Sequence, residues 1–219
     1  MKGIAVLSDK GGVGKSTLCH LLALGAAGWR GVPAYLFHTD NREPMKVNGR
    51  PYAYIDAREM DRLSTVMGSL VNNDGFCIID GGGNRPEFDQ WIAEAVDIVL
   101  IPVTADEEAV KLAKETMARL EGQGIKHARY ILNMVSPNEK ERLYDFRMFF
   151  SDLEEGKISG QIKRVSTVRR LRMSDDDGPF PTPPSNVNNL SRSLHHLVDD
   201  ALDNMVEVDI ELTGSQAIK

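Results

Sequence analysis

Short, almost wholly apolar runs alternate along the chain with longer stretches whose apolar residues recur every three to four positions. Residues 2–8 form the first apolar run and end in a glycine-rich turn, which predicts a buried strand. Residues 16–28, rich in Leu and Ala, predict a helix. Strands follow over 33–38 and 51–56, then a helix over 58–71. Residues 76–79 form a strand that ends at Asp80, and 97–103 another with almost no polar position. Such a strand suits a sheet covered on both faces. Residues 107–120 have the spacing of an amphipathic helix, 130–135 that of a strand, and Pro137 and Asn138 open a further helix. The last helical period spans 187–205. Alternating strands and helices predict an α/β fold: a doubly wound, mostly parallel sheet flanked by helices. One domain is expected over residues 1–206. The segment 178–184, GPFPTPP, reads as a stiff loop, and 207–219 as a disordered acidic tail.

Composition narrows the class of protein without changing this picture. Of 219 residues, 42% are hydrophobic and 26% charged, which excludes wholesale disorder. The two cysteines, Cys19 and Cys77, lie in apolar runs and read as core residues in a reducing compartment. No apolar run approaches the ~20 residues of a membrane span. The N-terminus turns into glycines after a short β-like run, unlike a signal peptide. A cytoplasmic protein is expected. The net charge of −6 argues against a general nucleic-acid binder when taken whole.

The densest chemistry lies in DKGGVGKST, Asp9 to Thr17, between the first strand and the first helix. Gly11, Gly12 and Gly14 let the backbone, Val13 included, curl so that several N–H groups face inward as an anion nest. The helix N-terminus adds partial positive charge. Lys15 can reach the β- and γ-phosphates, Ser16 can offer its hydroxyl to Mg²⁺, and Thr17 can contact a phosphate nearer the sugar. The usual phosphate loop begins with Gly where this chain has Asp9, and an extra lysine, Lys10, stands directly before the glycines.

KGGVGKST resembles the deviant Walker A motif of the ParA/MinD family of P-loop ATPases. The resemblance covers the chain from its first strand to about residue 205. It implies ATP and Mg²⁺ as cofactors and a homodimer bridged by ATP, with Lys10 reaching across to the partner's nucleotide. It implies that Asp40, in HTDNREP, orients the attacking water. His38 stands where the family has an aspartate serving the Mg²⁺ water shell, which shifts that duty to Ser16 and Asp80. Asp80, in FCIIDGGGN, resembles the Walker B aspartate, and Gly81, Gly82 and Gly83 would form a switch sensing the γ-phosphate. Asn133, in YILNMV, matches the asparagine that reads the adenine edge. Catalytic duties thus fall on Lys10, Lys15 and Asp40.

The use of such a site depends on the rest of the chain. Residues 157–173 hold six basic residues, Lys157, Lys163, Arg164, Arg169, Arg170 and Arg172, and no acids. The net charge therefore divides into +6 here and −12 elsewhere. A local basic patch, doubled by dimerisation, fits weak, non-specific DNA binding at the nucleoid. The expected function is ParA-like: an ATPase that positions a plasmid, chromosome or protein complex through slow hydrolysis stimulated by a small partner or cargo adaptor. The alternatives are an accessory ATPase of conjugative or T-DNA transfer, suggested by TDNREP, a MinD-like membrane cycler and a metabolic enzyme. The acidic tail disfavours membrane cycling, and no C-x-x-C pair supports iron–sulfur chemistry. The first strand begins at residue 2, so no N-terminal operator-binding domain is expected.

Overall fold

The computed structural model describes residues 1–41, 49–70, 72–81, 85–172 and 180–214; the side chains of 169, 170, 172 and 206–214 lie outside the description. Seven strands form one sheet: β1 (Lys2–Val6), β2 (Ala34–His38), β3 (Ala53–Asp56), β4 (Phe76–Asp80), β5 (Ile98–Val103), β6 (Ala128–Val135) and β7 (Ile158–Lys163). Their order is β3-β2-β4-β1-β5-β6-β7, and every neighbouring pair is parallel. Among the described residues six α-helices accompany them: α1 (Lys15–Gly25), α2 (Met60–Leu70), α3 (Pro86–Glu94), α4 (Glu107–Gly122), α5 (Glu139–Met148) and α6 (Ser185–Gly214).

The alternation of side chains along each strand builds two cores. Ile4 and Val6 of β1 join Leu36, Ile78 and Leu100 under α1 and α6. Ala5 and Leu7 turn the other way, to Phe37, Ile79 and Ile101, under α2, α3 and α4. The sheet is thus doubly wound, as expected. Polar pins join α1 to α6: Ser191 Oγ donates to Leu21 O at 2.5 Å, and His195 Nε2 to Leu22 O at 2.8 Å. Burial pushes the His195 pKa down, against the hydrogen bond to Leu22 O, which favours the charged ring.

Three features differ from the expectations. Helix α3 and strand β7 had no apolar period long enough to announce them. Strand β7 sits at the sheet edge with one buried residue, Ile162, and Gly160 at φ 148. The last helix runs from Ser185 to Gly214, past residue 206, where the sequence suggests a disordered tail. Among the described residues, no helix is long and apolar enough to cross a membrane.

Candidate nucleotide-binding site

The site gathers at the carboxyl ends of the central strands, where crevices form in open α/β sheets. The registers pair Val6 with Asp80 and Asp80 with His38, so the ends of β1, β4 and β2 lie side by side. From β1 the chain turns through the glycine-rich loop into α1. Gly12 (φ 82) and Gly14 (φ 92) are left-handed, a conformation that favours glycine. Gly14 caps α1, and its carbonyl accepts from Leu18 N at 3.0 Å. Lys15 Nζ donates to Ser8 O at 3.0 Å and to Lys10 O at 3.1 Å, so its ammonium closes the loop from inside.

Lys10 faces the opposite way. Its Nζ pairs with Glu108 in the first turn of α4. That hydrogen bond holds the lysine pKa above its ordinary value. Asp9, one residue earlier, is gripped by the same helix: Arg119 Nη2 lies 3.0 Å from Oδ1 and 3.3 Å from Oδ2. Sequence reasoning missed Glu108 and Arg119. The sequence marked this stretch only as an amphipathic helix; Asp106 serves as its N-cap, accepting from Ala109 N at 2.8 Å.

Asp80 is buried at the end of β4. Its carbonyl accepts from Thr39 Oγ1 at 2.7 Å, and Gly81 N donates to Val6 O at 3.1 Å. Burial and then the nearby Asp80 charge push the Cys19 thiol well up, while Lys15 opposes this. Cys19 is thus an inert core residue. Ser16 carries a hydroxyl and Asp80 a carboxylate, the hard oxygen donors that suit Mg²⁺. His38, also buried, packs its ring against Tyr54 with centroids 5.9 Å apart. Asp40 follows β2 by two residues and is half-buried. Gly82 and Gly83 of the expected switch lie outside the described residues.

Asn133 is buried at the end of β6, where its Nδ2 donates to Val13 O at 2.7 Å. It therefore staples the phosphate loop to β6, two strands away from β1 in the sheet. A cavity of about 160 Å³ opens beside it, lined by Thr17, Leu21, Met134, Lys163, Arg164 and Val168, among others. That volume suits a single base. Of the basic segment, three side chains are described. Lys157 is held by Glu121 and Glu154, each at 2.5 Å. Lys163 and Arg164 are exposed residues that also border the cavity. The side chains of Arg169, Arg170 and Arg172 lie outside the description.

Helix α3 carries a buried acid that the sequence did not single out. Asp89 is 3% exposed, and burial pushes its carboxyl up to about 6 from 3.8, against the attraction of Arg119. A carboxyl whose pKa is raised on folding costs stability above that value and relaxes as pH falls toward the unfolded one. Asp89→Asn is therefore expected to raise stability near pH 7.5 by up to about 3 kcal/mol. The gain shrinks between about pH 6 and 4. Melting curves of both proteins across that range check it.

A glycine-rich loop with an inward lysine, on a doubly wound parallel sheet with a carboxylate on the adjacent strand, defines a P-loop nucleotide-binding protein. The chain belongs to the CobQ/CobB/MinD/ParA nucleotide-binding domain family, whose pattern matches residues 4–177. Solved structures share the fold at low identity. A plasmid partition protein from Borrelia burgdorferi is 15% identical, with TM-score 0.60 over 91% of this chain and 98% of that one. An ATP complex of a McdA variant from Cyanothece is 13% identical, with TM-score 0.64 over 91% and 96%. MinD from Pyrococcus horikoshii OT3, complexed with Mg-ADP, is 15% identical, with TM-score 0.64 over 90% and 96%. No curated protein sequence matches the chain.

Proposed function

We propose that the chain is a ParA-like ATPase: Mg-ATP pairs two copies into a sandwich dimer, the dimer holds DNA non-specifically, and slow, partner-stimulated hydrolysis releases it to position a cargo. The observation that carries this reading is the opposite placement of the two loop lysines. Lys15 closes the loop from inside, and Lys10 leaves it outward toward α4. A lysine side chain directed away from its own phosphate cradle supports the reading that it serves another copy.

The residues divide the work. The loop amides from Gly11 to Ser16, with Lys15, bind and orient the phosphates. Thr17 and the cavity beside Asn133 take the sugar and base. Ser16 and Asp80 hold Mg²⁺, which when bound neutralises phosphate charge. Asp40 orients a water for attack and accepts its proton. Lys163, Arg164, Arg169, Arg170 and Arg172 supply the DNA contacts, salt-dependent and without base readout. A positioning cycle needs a long-lived ATP state more than fast turnover, so a small activating partner or adaptor completes it.

Light scattering with Mg-ATP tests this reading. The wild type is expected to reach dimer mass only with ATP, and Asp40→Ala to accumulate dimers while turnover stops. DNA retention should follow the dimer and weaken with salt. Mass unchanged by ATP would refute the proposal, and dimers that ignore DNA would refute its DNA part.

A further inference from the structure

Helix α4 receives the first two residues of the phosphate loop at separate points. Asp9 occupies the position where phosphate loops usually carry glycine, so it brings a carboxylate where the fold requires none. That carboxylate is engaged from α4 by the guanidinium of Arg119 and by the hydroxyl of Thr116, 3.2 Å from Oδ2. Thr116 is fully buried, and its single hydroxyl proton is shared with Leu112 O, the nearer acceptor at 2.8 Å, so the main grip on Asp9 is the guanidinium's.

Arg119 has a second acid within reach. Asp89 Oδ2, on α3, lies 3.9 Å from the same Nη2. Burial alone would favour the arginine on Asp89, because a buried carboxylate gains most from a cation. Yet Asp89 Oδ1 and Arg119 Nη1 are both buried without a hydrogen-bond partner among the described residues. The arginine makes its short contacts with the more exposed loop acid instead, at the expense of satisfying α3. A contact kept against that cost points to a role at the loop.

Its consequence falls on Lys10. The Lys10 main chain is held on both sides: its N–H donates to Ser8 Oγ at 3.2 Å, and its carbonyl accepts from Lys15 at 3.1 Å. With Asp9 gripped just before it, only the Lys10 side chain is left to move, and it departs along the first turn of α4. We propose that Arg119 is a positioning residue for Lys10: acting through Asp9, it moors the start of the loop on α4 so that the lysine points outward, ready for the nucleotide of a second copy. This rests on the ATP-sandwich reading above. Arg119 touches neither nucleotide nor reacting atoms; it fixes the starting point of the residue that does.

The test uses the full chain and four variants: Asp9→Asn, Arg119→Gln, the double variant and Arg119→Lys. Three readouts are taken: the ATP concentration giving half-maximal dimer, turnover at saturating ATP, and affinity of the monomer for a fluorescent ATP analogue. Each neutral single variant should raise the half-maximal ATP about tenfold. Turnover at saturation and monomer affinity should stay within about twofold, because Lys15 and the loop amides are untouched. The double variant should match the worse single one, as expected when two residues act as one unit. Arg119→Lys, which keeps the charge but not the two-oxygen grip, should fall between wild type and Arg119→Gln. Should Arg119→Gln fail to fold, Asp9→Asn carries the test, since its side chain is partly exposed. Effects that add in the double variant, or a matching loss of monomer affinity, would overturn the proposal. Variants identical to a wild type that dimerises would overturn it alone, whereas a wild type indifferent to ATP would overturn the sandwich reading as well.

Discussion

Alanine at Gly14 is expected to abolish nucleotide binding while leaving the chain folded. Gly14 sits at φ 92 and ψ 19, a left-handed conformation that costs an L-residue about 1–2 kcal/mol. The added Cβ would also run into Asn133 Nδ2 and approach the Met134 methyl to 3.1 Å. The Met134 methyl ends a flexible side chain and can shift, but Asn133 does not retreat easily, because it is buried and donates to Val13 O. Moving Asn133 breaks a buried hydrogen bond for roughly another 1–3 kcal/mol. Together the loop amides lose their aim at a cost of about 3 kcal/mol or more, a loss of affinity beyond about a hundredfold. Gly11, in the same loop, has no positive φ and no protein atom within 4 Å of an added Cβ, so Gly11→Ala is expected to lose less affinity than Gly14→Ala. Titration of both variants with a fluorescent ATP analogue, with circular dichroism to confirm folding, checks the contrast. Near-normal binding by Gly14→Ala would show that Asn133 does not hold the loop.

The second large effect is expected at Lys10, and its partner should respond in the opposite sense. Lys10→Ala should leave monomer affinity nearly unchanged, because Lys15 and the loop amides remain, yet remove ATP-dependent dimers altogether. Glu108 competes for the same ammonium from within the chain. In Glu108→Gln that competition falls, so the ATP needed for half-maximal dimer should drop by roughly threefold, as suits an exposed pair. Light scattering against ATP concentration measures both. Equal dimerisation by Lys10→Ala would remove the trans role of this lysine, and an unchanged Glu108→Gln would show that the pair does not restrain it.

These two predictions come from different kinds of information. The glycine loop was legible because its chemistry is local: eight consecutive residues dictate a curl, a helix start and an inward lysine. The strands over 2–8, 76–79 and 97–103 were legible because burial on both faces leaves uninterrupted apolar runs. Strand β7 was not, since an edge strand with Ser159, Gly160 and Gln161 carries no such run. Helix α3 follows a glycine run and a proline at its first position, with only nine residues to show a period.

By itself the sequence determined the alternating α/β class, the phosphate loop and the acid that closes β4, because neighbouring residues decide each of them. Tertiary structure alone decided what those residues touch. Asp9 and Arg119 are 110 positions apart, Val13 and Asn133 120, and Lys10 and Glu108 98. Such meetings depend on β1 lying beside β5, and β5 beside β6, which no local pattern specifies. The basic segment makes the same point. Of six charges adjacent in sequence, folding pairs Lys157 with two glutamates and sets Lys163 and Arg164 at the rim of the cavity beside Asn133. Charge adds along a chain, but a surface is formed only by the side chains that packing leaves together.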